Sequence, residues 1–298
     1  MILNTNVKIK PFAKWVGGKT QLLSDIINII PDNIETYIEP FVGGGAVLSV
    51  LFNNPNIKHF YINDLNTELM NCYKVIKDNV DGLIQYLSMY KDQFNACKSE
   101  EERSTMYYRL RTEFNMGITL WSNNIIGDIH MAALLIFLNK TGFNGLYRVN
   151  KSGKFNVPFN HCKNITLYDK NNLMIWHDYL QQVELSSISY EKVIPNDIDY
   201  NTTFYYLDPP YKPITKTSAF TAYSKENFYD ADQEQLKQFC DLLDSKGIKF
   251  LQSNSEPGTG YFNTLYKSYT IEHVKARRSI NSNGNKRGKI DEILIYNY

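Results

Sequence analysis

The residues with the most distinctive chemistry in this chain are Asp208-Pro209-Pro210-Tyr211. Two successive prolines lock φ and remove two N–H donors, so the backbone there offers acceptors only. An acceptor-only loop suits an amino group that must donate two hydrogens. The exocyclic amine of a nucleobase such as adenine is a group of that kind, and a poor nucleophile, since its lone pair is delocalised into the ring. Hydrogen bonds to the Asp208 carboxylate and the Pro209 carbonyl would favour a pyramidal nitrogen and stabilise the positive charge developing on it. Tyr211 adds a face on which a base can stack. The same four residues in an arbitrary loop would mean little, so their weight rests on where the chain places them.

A second constellation lies upstream. Phe41-Val42-Gly43-Gly44-Gly45 follows a short strand-like segment and precedes a helix-like one. Glycines at such a turn let backbone approach a ligand, and the helix start supplies free N–H groups. A dinucleotide fingerprint is excluded, because Leu48 stands where its third glycine belongs. Asp64 closes the next strand, where an acid can accept hydrogen bonds from ribose hydroxyls. Loop and acid together fit a nucleoside-containing cofactor without a pyrophosphate; a plain tight turn is the alternative. Gly17-Gly18-Lys19-Thr20 resembles the end of a phosphate-binding loop, yet Ala13 occupies the position of that loop's first glycine. Trp15 and Lys19 are better suited to presenting a ring and a cation to a ligand.

These residues need elements to hold them. TQLLSDIINII reads as an amphipathic helix closed by Pro31, TYIEPF as a strand, AVLSVLF as a helix and KHFYINDL as a strand. Strand, glycine turn, helix, strand is a βαβ unit and predicts a parallel sheet. From Cys72 to Asn164 the pattern turns helical, with NTELMNCYKVIKDN, VDGLIQYLSMYKDQF, SEEERSTMYYRLRTEF and DIHMAALLIFLNK showing apolar residues three and four apart. LYRVN and KFNVPF around Ser152-Gly153 predict a β-hairpin. Alternation then resumes: TTFYYL runs as a strand into the Asp208 motif, DADQEQLKQFCDLLDSKG is a helix, and IKFLQSN, SYTIEHVKA and DEILIYNY are strands. The expected architecture is one α/β domain, residues 1–71 and 165–298, interrupted by a helical insertion at 72–164.

Composition narrows the class without deciding it. The 298 residues are 43% hydrophobic and 21% charged, an ordinary globular balance. No apolar run reaches membrane-spanning length, and the N-terminus lacks a signal-peptide core, which predicts a cytoplasmic protein. The four cysteines are scattered, with no Cys-x-x-Cys pair and no histidine cluster beside them, so neither a disulfide framework nor a metal site is expected. Net charge is only +1, but Lys275, Arg277, Arg278, Lys286, Arg287 and Lys289 form a basic stretch with no acid among them. Such a stretch fits phosphate contact or a solvated loop.

Taken together, the motifs resemble the Dam-like DNA adenine-N6 methyltransferase family, whose enzymes modify GATC. The likeness covers nearly the whole chain: Lys14-Trp15-Val16-Gly17-Gly18-Lys19, Glu39-Pro40-Phe41-Val42-Gly43-Gly44-Gly45, Asn63-Asp64-Leu65-Asn66, Leu138 to Arg148, Asp208 to Tyr211, Phe220-Thr221-Ala222-Tyr223 and Arg277 to Gly284. Their order is that of the α class of amino-methyltransferases. The resemblance implies a Rossmann-like methyltransferase sheet with an inserted helical target-recognition domain bearing the hairpin. It implies S-adenosylmethionine as cofactor, at Trp15, Lys19, Glu39, Phe41, Gly43, Gly45, Asp64 and Asp208. Double-stranded DNA is the implied partner, met by Lys14, Phe143, Asn144, Leu146, Arg148, Pro158, Tyr223, Arg277, Arg278 and Asn281. Arg148 falls where the family reads a guanine, the commonest specific major-groove contact of an arginine. Phe143 stands where a tyrosine is usual beside the flipped adenine, keeping the ring and losing the hydroxyl.

The implied enzyme works as a monomer on DNA in the bacterial or phage-infected cytoplasm, either alone or paired with a restriction endonuclease. Cytosine-N4 methylation uses the same kind of amine, but those enzymes more often carry Ser first in the tetrapeptide, so Asp208 favours adenine. A catalytically inert DNA-binding protein is the remaining alternative. For Phe143 and Leu146, core packing of the hairpin is the competing role.

Overall fold

The computed structural model describes residues 9–120, 127–211, 228–256, 258–277 and 289–298. Eight helices and seven strands alternate in these segments. A single 3-10 turn, Lys19–Gln21, leads into α1 (Leu23–Ile29), followed by β1 (Thr36–Glu39), α2 (Ala46–Leu51) and β2 (His59–Asn63). Four helices come next: α3 (Thr67–Ala96), α4 (Glu100–Leu120), α5 (Ile129–Thr141) and α6 (Lys170–Leu180). The chain closes with β3 (Val183–Ser186), β4 (Thr203–Leu207), α7 (Asp230–Ser245), β5 (Lys249–Ser255), α8 (Tyr261–Leu265), β6 (Thr270–Arg277) and β7 (Lys289–Tyr296). α6, α8 and β3 had no counterpart among the elements expected from the sequence. Lys170–Leu180 is too short and mixed to show a clean periodicity, and Val183–Ser186 is only four residues long.

The sheet order is β3-β2-β1-β4-β5-β7-β6. The first five pair in parallel, and β7 runs antiparallel to both neighbours. The parallel sheet expected from the βαβ pattern is therefore present, with one reversed strand near its edge. Chain order changes direction between β1 and β4, which lie side by side with Thr36 opposite Thr203 and Ile38 opposite Tyr205. In open α/β sheets such a switch point is where ligands bind, at the carboxyl ends of the strands.

Side-chain alternation divides the sheet into two buried faces. Tyr37, Phe60, Ile62, Phe204, Tyr206, Leu251 and Leu294 point to one face and pack with α1 to α6. Ile38, Tyr205, Leu207, Phe250, Ile293 and Ile295 point to the other and pack with α7 and α8. The helices between β2 and β3 share the first core, through Val75, Leu83, Leu110, Phe114 and the almost wholly buried α5. Inside α3, Asn79 breaks helical geometry (φ −151°, ψ 62°) and its side chain accepts from Gly82 N at 3.0 Å. The two helices read from the sequence thus join into one kinked helix.

The hairpin at Leu146–Phe159 is less regular than expected. Only isolated antiparallel bridges form, Val149 with Phe155 and Gly142 with Phe159. The arms still exchange Asn156 N to Arg148 O (3.0 Å) and Asn150 N to Lys154 O (2.9 Å). The groups of the second arm that face away from the first are taken by α4: Asn115 bonds both Phe155 N (2.7 Å) and Phe155 O (3.0 Å), while Tyr107 OH and Arg111 donate to Val157 O. The hairpin is thereby docked on that helix, with its outward backbone groups satisfied.

Gly45 begins α2 with φ +70°, and a Cβ there would lie 2.5 Å from Tyr73 OH and 2.9 Å from Trp176. Gly45→Ala therefore combines left-handed strain with overpacking and is expected to cost about 2–4 kcal/mol. Urea unfolding of the two proteins measures that difference.

Candidate active site

Five side chains converge at the carboxyl edge of the sheet because strand alternation puts them there. Glu39 follows Tyr37, Asp64 follows Ile62, Asp208 follows Tyr206, Ser253 follows Leu251, and Glu292 precedes Leu294 on the reversed strand. Each extends a row of apolar side chains on the first face by one polar residue. The switch point thus ends in a polar ledge above a hydrophobic floor.

Lys19 is the cation of this ledge. Its Nζ lies 2.7 Å from Asp208 Oδ2 and donates to Gly17 O at 2.6 Å, with the residue only 5% exposed. Ser253 Oγ donates to Asp208 Oδ1 at 2.9 Å, and Tyr206 OH is 3.1 Å from that Oγ. Both oxygens of Asp208 are therefore held. Burial pushes its carboxyl up, while the charge and hydrogen bond of Lys19 and the Ser253 hydroxyl pull it back towards ionisation.

Tyr211 sits beside this pair, its ring centroid 4.6 Å from Lys19 Nζ. Its hydroxyl donates to Glu292 Oε2 at 2.8 Å. Gln233 reaches the Pro210 carbonyl at 3.3 Å and is itself held by Asn254 Nδ2 at 3.2 Å. Ser253, Glu292 and Gln233 had no signal in the sequence, since only pairing register and the docking of α7 bring them to the motif.

A cavity of about 360 Å³ opens next to the ledge, lined among others by Trp15, Lys19, Glu39, Gly43, Tyr206 and Asp208. The glycines are required there, since a Cβ on Gly43 would lie 2.9 Å from the Trp15 ring and one on Gly44 3.0 Å from Trp15 Cβ. Gly43 N donates to Asp64 Oδ2 at 3.0 Å and Asn66 N to Asp64 Oδ1 at 2.9 Å, while Tyr73 OH donates to Gly43 O. Asp64 thus ties the glycine loop to the end of β2. Glu39, 2% exposed, accepts from Tyr37 OH at 2.9 Å, and burial raises its pKa well above the usual range. Phe41 is turned aside, its ring packed on Tyr190 with centroids 5.2 Å apart.

The residues expected to meet DNA form a neighbouring group. Lys14 is exposed at the cavity mouth beside Lys140, whose ammonium is destabilised by burial and by Lys14. Asn139, 1% exposed, bonds Lys14 N, Lys14 O and Gly145 O, each at 2.8 Å. One side chain thereby fastens the Lys14–Lys19 segment to the Phe143–Gly145 turn. Trp15 stacks on Tyr147 at 5.5 Å, which strengthens the same junction. Phe143 is 48% exposed, and Asn144, in the left-handed region at φ +57°, is exposed beside it. Pro158 is exposed, and its carbonyl accepts from Phe143 N at 2.9 Å. Leu146 is half-buried against the core, so packing accounts for part of its surface. Arg148 is half-buried, with Nε 2.7 Å from Asn156 Oδ1. Tyr223, Arg278 and Asn281 lie outside the described residues, as does the side chain of Arg277.

Asp64 carries a testable signature. Burial raises its pKa from 3.8 to about 6 despite the two backbone N–H donors. Between those values the folded protein retains a proton that the unfolded chain has lost, so stability falls as pH rises through that window and levels off above it. Unfolding free energies of the wild type relative to Asp64→Asn should decline across that interval; a flat difference contradicts the assignment.

Comparison with known proteins agrees with the site. Residues 15–280 match the family model of the D12 class N6 adenine-specific DNA methyltransferase. The chain is 44% identical to the Type II methyltransferase M.MjaIII of Methanocaldococcus jannaschii, over 98% of this chain and 100% of that protein. It is 35% identical to the Type II methyltransferase M1.LlaDCHI of Lactococcus lactis subsp. cremoris, over 100% and 99%. It is 33% identical to the DNA adenine methylase of Escherichia coli K12, over 96% and 95%. A polar ledge built on an aspartate–proline–proline–tyrosine loop, a glycine-lined cavity and full-length similarity of this order lead to one conclusion: the chain belongs to the D12 class of N6 adenine-specific DNA methyltransferases.

Proposed function

We propose that the protein transfers a methyl group from S-adenosylmethionine to N6 of an adenine flipped out of duplex DNA, within the site GATC. The observation that carries this reading is the Asp208 carboxylate, held by Lys19 and Ser253 at the end of β4 beside the Tyr211 ring.

The cavity offers the cofactor both an aromatic ring and charged partners. Glu39 and Asp208 line it together with Trp15 and Lys19, and Lys14 and Lys140 line it as well; the two carboxylates are the groups that can meet a cationic ligand. Trp15, Lys19, Glu39, Gly43 and Asp208 would line its site, and Asp64 would meet its ribose. When bound, the cofactor supplies a sulfonium methyl.

The remaining work belongs to the chain. Burial raises the Asp208 carboxyl, the charge and hydrogen bond of Lys19 favour its ionised form against that burial, and its oxygens are the acceptors offered to the adenine amine. The Pro209 carbonyl offers the second acceptor, and the two favour a pyramidal nitrogen and stabilise its growing positive charge. Tyr211 stacks the base, offsetting part of the few kcal/mol that unstacking costs. Rate then comes from holding two reactants together in a preorganised polar site.

Sequence recognition is assigned to the turn and broken hairpin at Phe143–Pro158, with Arg148 reading guanine. The resemblance of Leu138 to Arg148 to the Dam-like pattern supports GATC, as does the similarity to the E. coli DNA adenine methylase. Two relatives are named Type II methyltransferases, which supports a partnership with a restriction endonuclease.

Incubation with labelled S-adenosylmethionine and duplex DNA, followed by digestion, should yield labelled N6-methyladenine. N4-methylcytosine or no label overturns the reading. Asp208→Ala should lower transfer by about a hundredfold to a thousandfold while leaving DNA binding largely intact. Arg148→Ala should cut discrimination against a site with its guanine replaced by about 1–3 kcal/mol in kcat/KM ratio.

A further inference from the structure

We infer that Glu292 is a positioning residue for methyl transfer, acting through the hydroxyl of Tyr211. The inference rests on the proposed role of Tyr211 as the stacking platform. Three observations lead to it.

Tyr211 follows two prolines that contribute no donors and that constrain the backbone before it without setting the orientation of its ring. A ring that must present one face to a base needs an anchor at its far end, and the Tyr211 hydroxyl supplies one by donating to Glu292 Oε2 at 2.8 Å.

The anchor itself is rigid. Glu292 lies on β7 between two neighbours, opposite Ser255 on β5 and Val274 on β6, so its backbone is fixed on both sides. Its carboxylate projects to the same face as Leu294 and so reaches the ledge from the strand that runs against the others. Were β7 parallel to β5, this end of the strand would lie at the opposite edge of the sheet. The single reversed strand therefore has a use at the active site.

Charge completes the argument. Burial and the negative charges of Asp208 and Glu292 keep the Tyr211 hydroxyl protonated, so it remains a donor. Burial raises the Glu292 carboxyl, while the charge of Lys19 and the Tyr211 hydroxyl pull it back towards ionisation. A hydrogen bond to a charged acceptor is stronger than a neutral one, and strong enough to select one ring orientation. Glu292 does not line the cavity beside Trp15 and Glu39, so its loss should spare the cofactor.

A double-mutant cycle on the full-length protein decides the matter. Single-turnover methylation of a duplex is measured for wild type, Y211F, E292A, E292Q and Y211F/E292A, with S-adenosylhomocysteine affinity as the control. Y211F and E292A should each slow transfer about tenfold, and the double variant should be no slower than either. E292Q retains an acceptor and should stay within about threefold of wild type. S-adenosylhomocysteine should bind all five equally. Losses that multiply, or an E292A rate equal to wild type, overturn the proposal. If E292A does not fold, E292Q and Y211F decide alone, since E292Q slower than Y211F means that Glu292 acts by its charge and not through Tyr211. Failure of the wider reading looks different, because the wild-type protein would then methylate no adenine.

Discussion

The contact between Lys19 and Asp208 is the constraint on which the rest of the site depends. It joins residues 189 positions apart at 2.7 Å, one on the N-terminal 3-10 turn and the other at the end of β4. A buried pair of this kind adds little net stability, because desolvation consumes most of the attraction, whereas removing one partner strands a buried charge. Its value is therefore chemical. It favours the ionised form of an acceptor that burial would otherwise neutralise, and it brings the Trp15–Lys19 segment over the glycine loop. Without it, the cavity would lose one wall and the buried carboxylate its counter-charge.

Strand alternation supplies the geometry around that contact. Five polar side chains each cap an apolar row on the same sheet face, and the rows themselves are anchored in the core. The positions of Glu39, Asp64, Asp208, Ser253 and Glu292 are thus set by register, and a one-residue slip in any strand would turn its polar tip to the other face. Burial of these strands beneath helices makes such a slip costly. The reversed β7 brings its amino-terminal end to the ledge, which otherwise receives only carboxyl ends.

The second organising feature is the junction at Asn139. Its buried amide fastens the cofactor-side segment at Lys14 to the turn at Gly145, and the Trp15–Tyr147 stack reinforces it. The helices from α3 to α5 share the core of the first sheet face, so the turn is carried on a rigid support. Cavity and turn consequently form one continuous structure, which suits an enzyme whose target base must arrive where the methyl donor waits.

Much of this was legible in the linear chain, for identifiable reasons. Prolines and glycines act locally, so the Asp208–Tyr211 loop and the Gly43–Gly45 turn could be read from residue type alone. Buried parallel strands are continuous apolar runs, which made TTFYYL and its neighbours visible. The break at Asn79 also declared itself locally. What depended on pairing did not. α8 and β3 are too short to show a period, α6 mixes polar and apolar residues on its faces, the hairpin arms meet only in isolated bridges, and Phe41 packs on Tyr190. Ser253, Gln233 and Glu292 sit in ordinary strand and helix sequence, and only sheet order and strand direction bring them to Asp208 and Tyr211. The sequence by itself determined which groups could do the chemistry, because that is a matter of functional groups and local backbone. The tertiary structure alone decided which other groups hold them, because that is set by register and packing between segments far apart in the chain.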